Sequence, residues 1–277
     1  MKKDVSILIP TIRSKNLIKL YRSIELACQK YTFEVVFVGP YLIPDELLKK
    51  PNVKYIHSYA NPTISFQMAA HLCNAEFIYN ITDDGLVQPS VIDEAISFFR
   101  TTLLDKDMIN MIYAEGFLDV NTLSPLGELT QKFPDSYWVA DSHQDLKLPG
   151  IPGYYKTAPH FLMKYEYFAV LGGLDCRFEH VNMNLHDLAF RIQADGGRVV
   201  FSSNVAFYCS HVPNQTGDHL PIHDAHFLND LPIFRSIYSQ PNILNKRKIL
   251  DFDDWKNYPS VWTRRFDTSN LPIHSYT

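Results

Sequence analysis

Through roughly its first hundred residues the chain alternates short apolar runs with stretches whose apolar residues recur at helical spacing, and this alternation constrains the fold most. The runs at 5–9, 33–38, 53–57 and 77–81 are strand-like, rich in β-branched and aromatic residues. Between them, Leu17, Leu20, Tyr21, Ile24 and Ala27 mark one helix, which Ser14 or Asn16 would cap. Phe66, Ala69, Ala70 and Cys73 mark a second over 65–74, and Val91, Ile92, Ala95, Ile96 and Phe99 a third over 89–100. Strand and helix in strict turn imply an α/β fold with a mostly parallel central sheet flanked by crossover helices. No GxGxxG and no GxxxxGK[ST] occurs, so neither a dinucleotide fingerprint nor a P-loop is present.

The run at 77–81 ends in Thr82-Asp83-Asp84-Gly85, and Pro89 follows where a helix can begin. In an open α/β sheet, ligands bind outside the carboxyl ends of the strands. Two adjacent carboxylates there repel one another unless a cation or hydrogen-bond donors compensate, and hard divalent ions use one or two carboxylates plus substrate phosphates. The plainer alternative is a turn, for which Asp-Asp-Gly is ordinary chemistry.

The later chain is less regular. A strand is expected over 109–114, and 161–167 reads as strand or helix. A helix over 184–194 carries Leu185, Leu188, Ala189 and Ile192 on one face and is closed by Gly196-Gly197, with strands over 199–202 and 205–208 after it. The irregular stretch 115–159 has the character of a binding segment.

Several classes are disfavoured. A formal net charge of −4 argues against a nucleic-acid binder. The four cysteines are scattered without a CxxC pair, as suits reduced thiols in the cytoplasm. The amino-terminal apolar run is too short for a signal peptide, and nothing approaches the ~18 apolar residues that span a membrane.

Taken in order, the Pro10-Thr11 turn, the Asp83-Asp84 pair with its proline, Gly172-Gly173-Leu174-Asp175, the helix bearing Asp187-Leu188-x-x-Arg191 and then Gly196-Gly197 form a set that resembles the family-2 GT-A glycosyltransferases over about residues 4–212. The resemblance implies a GT-A domain over 1–240, with a nucleotide-sugar half (1–114) and an acceptor half (115–240), and a carboxyl-terminal extension (241–277) packed upon it. It also implies inverting transfer of a sugar from a nucleotide-diphosphate donor, a UDP-sugar by preference, to a hydroxyl of a glycan or lipid-linked acceptor. Pro10, Thr11, Arg13, Gly39 and Gln67 would border the donor, Asp83 would lie near the ribose or the metal, and Gly172 and Gly173 would shape the sugar and acceptor side. A divalent metal, Mn²⁺ or Mg²⁺, would be held by Asp84 and by His211. Asp187 would be the general base, the alternative being an i,i+4 ion pair with Arg191. Thr82 stands where the family has the first acid of its DxD, and Val38-Gly39-Pro40-Tyr41 where it often has a base-binding acid. Rival readings are a nucleotidyltransferase, which would want a Gly-rich basic loop after the first strand, and a non-catalytic sugar-nucleotide or glycan-binding protein.

His219, His223 and His226 follow His211 in a segment with no motif, and Pro221 argues against a zinc-protease helix. The basic and aromatic tail around Lys246-Arg247-Lys248, Trp255 and Trp262 would allow a peripheral contact with an anionic membrane, although packing on the domain is preferred because Asp251, Asp253 and Asp254 dilute its charge.

Overall fold

The structure is a computed structural model, and it describes residues 2–116, 131–132, 146–147, 154–210 and 220–239. Strand β1 (Lys3–Pro10) turns through a 3-10 segment (Ser14–Asn16) into α1 (Leu17–Ala27). There follow β2 (Phe33–Gly39), the one-turn α2 (Asp45–Leu48), β3 (Val53–His57), α3 (Pro62–His71), β4 (Ala75–Asn80), β5 (Gly85–Val87) and α4 (Val91–Thr102). Next come β6 (Met108–Asn110), β7 (Tyr113–Gly116), and the short β8 (Gln131–Lys132), β9 (Leu146–Lys147) and β10 (Tyr154–Tyr155). The chain continues with β11 (Phe161–Lys164), α5 (Tyr165–Val170), α6 (Val181–Ala194), β12 (Val199–Phe201) and β13 (Phe207–Ser210). Last are α7 (Leu220–Ala225), a π-helical turn (His226–Asp230) and α8 (Leu231–Tyr238).

Seven strands form the main sheet in the order β12-β6-β11-β4-β1-β2-β3. All pairings are parallel except those of β11, which runs antiparallel to both β4 and β6. Alternation along β1 explains the two cores. Val5, Ile7 and Ile9 face one side with the apolar stripes of α1 and α4, while Leu8 faces the other with α3, α5 and α6. A second sheet, β5-β13-β7-β8, stands at the carboxyl end of β4.

Several expectations shift: the helix expected over 184–194 begins at Val181, where His180 caps it by accepting from Asn182 N, and the strand expected over 205–208 lies at 207–210. The helix expected over 65–74 is α3 and begins at Pro62, because Asn61 caps it by accepting from Ile64 N at 2.9 Å and proline occupies the first turn. This helix is buried on every side from Thr63 to Ala70, so its periodicity carries little signal. The strand expected over 109–114 is two: β6 stays in the main sheet and β7 crosses to the second. The stretch 161–167 is β11 followed at once by α5. The extension 241–277 and most of 115–153 lie outside the described residues.

Parallel β1 and β2 approach so closely at their carboxyl ends that a Cβ on Gly39 would lie 1.9 Å from the Thr11 carbonyl oxygen, a backbone atom that cannot step aside. Thr11 N also donates to Val38 O at 2.8 Å, fixing that approach. Gly39→Ala is therefore expected to cost about 1–3 kcal/mol in chemical denaturation, the usual range for overpacking; a loss within ~0.5 kcal/mol of zero would mean that the two loops part freely.

Candidate functional site

The carboxyl ends of β1 and β4 lie side by side, with Leu8 opposite Asn80, so the loop after β1 meets the Asp83-Asp84 turn. Asp83 binds that loop. Its Oδ2 accepts from Thr11 Oγ1 at 2.8 Å, Ile12 N at 2.9 Å and Arg13 N at 2.8 Å, and its Oδ1 takes an ion pair from the Arg13 guanidinium. Asn16 Nδ2 donates to Asp83 O at 3.1 Å, which gives that side chain a role other than the expected helix cap; α1 has no side-chain cap. Four donors on one carboxylate turn it inward, onto the loop that the donor is expected to border. Arg13 and Thr11 are likewise turned onto Asp83. Asp84, beside it and buried, accepts from Thr82 Oγ1 at 2.6 Å. The threonine that stands for an acid thus orients the next acid.

Gly39 borders this loop through its contact with Thr11, and Pro10 ends β1. Beyond the Gly39–His57 pair of β2 and β3, Tyr41 and Tyr59 are exposed, and His57 meets Tyr59 edge-on at 5.3 Å. Neither tyrosine carries a motif by which sequence reading finds it.

A second cluster forms around Gly172 and Gly173, whose φ values of 84° and 64° lie in the left-handed region. Gln67 sits beneath them: its Oε1 accepts from Leu174 N at 2.9 Å and its Nε2 donates to Gly172 O at 3.4 Å. A Cβ on Gly173 would come within 2.5 Å of Gln67 Oε1. Arg191 holds the same turn from α6, donating from Nη1 to Leu171 O at 2.7 Å and from Nη2 to Gly173 O at 2.5 Å. Asn184 closes it by exchanging two 2.9 Å hydrogen bonds with the backbone of Asp175. Gln67, Asn184 and Arg191 are all 0% exposed. The turn is therefore built from below by fully buried polar groups, each satisfied by the backbone it holds.

Asp187, the expected base, lies at the root of this cluster with 0% exposure. Its Oδ2 accepts from Arg191 Nε at 3.0 Å, the i,i+4 pair that was the alternative reading, and its Oδ1 accepts from Tyr238 Oη at 2.5 Å. His186 next to it is buried with no hydrogen-bond partner on Nδ1. Desolvation, with the nearby His226 adding to it, lowers His186 to about 4. His160, enclosed by Tyr113 and Phe207, is likewise pushed down to about 4 by burial. His211 lies outside the described residues, and among the described residues no three His, Cys, Asp or Glu side chains gather to hold a metal. Oxygen ligation by one carboxylate completed by phosphates and water suits Mg²⁺-like ions, and Asp84 meets that minimum.

No protein-family model matches the chain, and no curated protein does. Among solved structures, S. aureus TarS, a glycosyltransferase, in complex with UDP superposes over 82% of this chain and 66% of its own at 15% identity, with a TM-score of 0.50. The fold is GT-A-like. TarS 1–349 alone is similar over 88% of this chain and 71% of its own at 14% identity (TM-score 0.49), and its complex with UDP-GlcNAc over 75% and 58% at 15% (TM-score 0.46). The chain thus spans 58% to 71% of the length of these TarS chains. Among the described residues no helix is long and apolar enough to cross a membrane.

Two measurements follow from the buried charges. Arg191→Met leaves Asp187 a buried carboxylate without its counter-charge and is expected to cost about 3–5 kcal/mol, while the double variant Asp187→Leu, Arg191→Met recovers much of that loss. Urea denaturation checks both, and a double variant as unstable as the single would refute the pairing. The histidines set the pH dependence. Folding holds both neutral, so stability is full above their ordinary value of 6.5 and is lost as pH falls toward about 4. Each contributes a slope approaching ~1.4 kcal/mol per pH unit inside that window, and His186→Phe is expected to remove its share of the slope.

Proposed function

We propose that the protein is an inverting glycosyltransferase that uses a nucleotide-diphosphate sugar, a UDP-sugar by preference, and transfers the sugar to a hydroxyl of a glycan or lipid-linked acceptor. The observation that carries this reading is the meeting of the Asp83-clasped loop with Asp84 at the adjacent carboxyl ends of β1 and β4, in a GT-A-like fold. TarS, with that fold, was solved with UDP and with UDP-GlcNAc.

In this reading the donor lies across the carboxyl ends of β1, β2 and β4. Main-chain groups of the loop from Thr11 to Arg13, preset by Asp83, border the nucleotide, and the exposed Tyr41 and Tyr59 offer flat faces to the base. A divalent ion, Mn²⁺ or Mg²⁺, would be held by Asp84 with Thr82 orienting it, and when bound would neutralise the leaving diphosphate. The Gly172–Gly173 turn receives the sugar, since two glycines leave room for a close approach. Asp187 takes the acceptor proton. The Tyr238 hydroxyl donates to Asp187 Oδ1 as an acceptor hydroxyl would, which supports a hydroxyl donor for this carboxylate.

One observation favours a second reading. Asp187 is 0% exposed and bonded on both oxygens, as suits a non-catalytic sugar-nucleotide-binding protein on the same scaffold.

Calorimetric titration with UDP, GDP and CDP, each with and without Mn²⁺, separates these. UDP is expected to bind and to need the metal, and Asp84→Ala to weaken it at least about tenfold, or ~1.4 kcal/mol. If no nucleoside diphosphate binds the folded protein, the transferase reading is lost. If UDP binds but no UDP-sugar is turned over with any acceptor, the non-catalytic reading replaces it.

A further inference from the structure

The last described helix, α8, ends in a tyrosine whose ring and hydroxyl do different things. The ring packs against Phe234 at 4.6 Å and Phe190 at 5.8 Å, in a small core with Phe178, Met183 and Ile237. A phenylalanine would fill that space equally well. The hydroxyl, by contrast, reaches Asp187 on α6 and makes Tyr238 the outer member of a buried series: Tyr238 to Asp187, Asp187 to Arg191, and Arg191 to the carbonyls of Leu171 and Gly173. All three side chains are at most 1% exposed. The π-helical turn ahead of α8 makes a second tie, for Asp230 accepts from Glu179 N at 2.9 Å and His180 N at 2.8 Å at the entrance to α6. The segment from His226 to Tyr238 therefore clasps α6 at two places, one at its start and one two turns along.

The geometry of each link transmits position. A carboxylate bonded on Oδ1 by the phenol has its rotation about χ2 fixed, which sets where Oδ2 meets Arg191 Nε. The guanidinium is a rigid planar fork, so fixing one edge fixes the other, from which Nη1 and Nη2 point at the turn. Gly172 and Gly173 offer little resistance of their own, since glycine restricts the backbone least. The placement of that turn consequently depends on the buried groups beneath it.

We propose that Tyr238 is a positioning residue for the sugar-binding turn: acting through Asp187 and Arg191 it sets Gly172 and Gly173, so that α8 belongs to the substrate-binding machinery. The proposal rests on the nucleotide-sugar reading above, which supplies the ligand. It makes a distinction that packing alone does not. Loss of the hydroxyl disturbs the sugar side and leaves the nucleotide side, which Asp83 and the β1 loop build separately.

The test is calorimetry on the full chain with UDP and with a panel of UDP-GlcNAc, UDP-glucose and UDP-galactose, for the wild type, Tyr238→Phe and Arg191→Lys. The wild type is expected to bind one UDP-sugar more tightly than UDP. Tyr238→Phe is expected to keep UDP affinity within about twofold and to weaken that UDP-sugar about fivefold or more, close to 1 kcal/mol converted at tenfold per 1.4 kcal/mol. Arg191→Lys keeps the charge and loses the fork, and is expected to erode the same preference. A Tyr238→Phe protein that folds and retains the wild-type ratio of UDP-sugar to UDP affinity overturns the proposal, as does one in which both affinities fall together. If Tyr238→Phe does not fold, Arg191→Lys decides by the same ratio. A wild type that binds neither UDP nor any of the panel overturns the transferase reading itself, and with it this one.

Discussion

The buried charge of Arg191 is the constraint on which the second half of the molecule depends. A guanidinium with no exposed surface must have a counter-charge and must spend its donors, or folding would bear an uncompensated desolvation cost. Asp187 supplies the charge from one turn earlier on α6, and the carbonyls of Leu171 and Gly173 accept from Nη1 and Nη2. That solution forces the chain after α5 to bend back over α6, and the bend needs two consecutive residues in the left-handed region. Gln67 from α3 then completes the lining. One buried cation thereby joins α3, the glycine turn, α6 and, through Tyr238, α8.

The first half rests on a different carboxylate, used in the opposite sense. Asp83 is nearly buried, and it collects hydrogen-bond donors from the loop after β1, the Arg13 guanidinium among them. Because β1 and β4 are parallel neighbours, their carboxyl ends coincide, and a side chain at the end of one can shape the loop at the end of the other. The cost of burying the charge is offset by strong charge-assisted bonds. The adjacent Asp84 is oriented by the Thr82 hydroxyl. The two halves are thus preorganised independently, the β1 loop by Asp83 and the glycine turn by Arg191 and its partners.

Legibility in the sequence followed the strength of the local signal. The strands β1, β2 and β4 are plain because burial on both faces makes them near-continuous apolar runs, and the helices α1 and α4 because each has one buried face and a clean period. α3 begins three residues before its apolar spacing suggests because it is buried all round, although Asn61-Pro62 is a start signal that periodicity obscures. The break between β6 and β7 was unreadable, since both are short apolar strands and only their partners differ. Gln67 and Asp83 were recognised as polar residues at telling positions. Their partners were not, because Gly172 lies 105 positions from Gln67 and Thr11 lies 72 from Asp83. Tyr238, 51 positions beyond Asp187, carries no motif at all.

By itself, then, the sequence determined the α/β order, the parallel sheet with helices on both faces, and which acids and glycines sit at strand and helix ends. These depend on periodicities of two and 3.6 residues and on turn chemistry, all of them short-range. The tertiary structure alone decided what those acids do. Whether a carboxylate faces a ligand, a loop or a guanidinium is settled by which donors the folded chain brings within 3 Å or so. Most of those donors come from remote segments, so that Asp83 is bonded to the loop after β1 and Asp187 to Tyr238 as well as to Arg191.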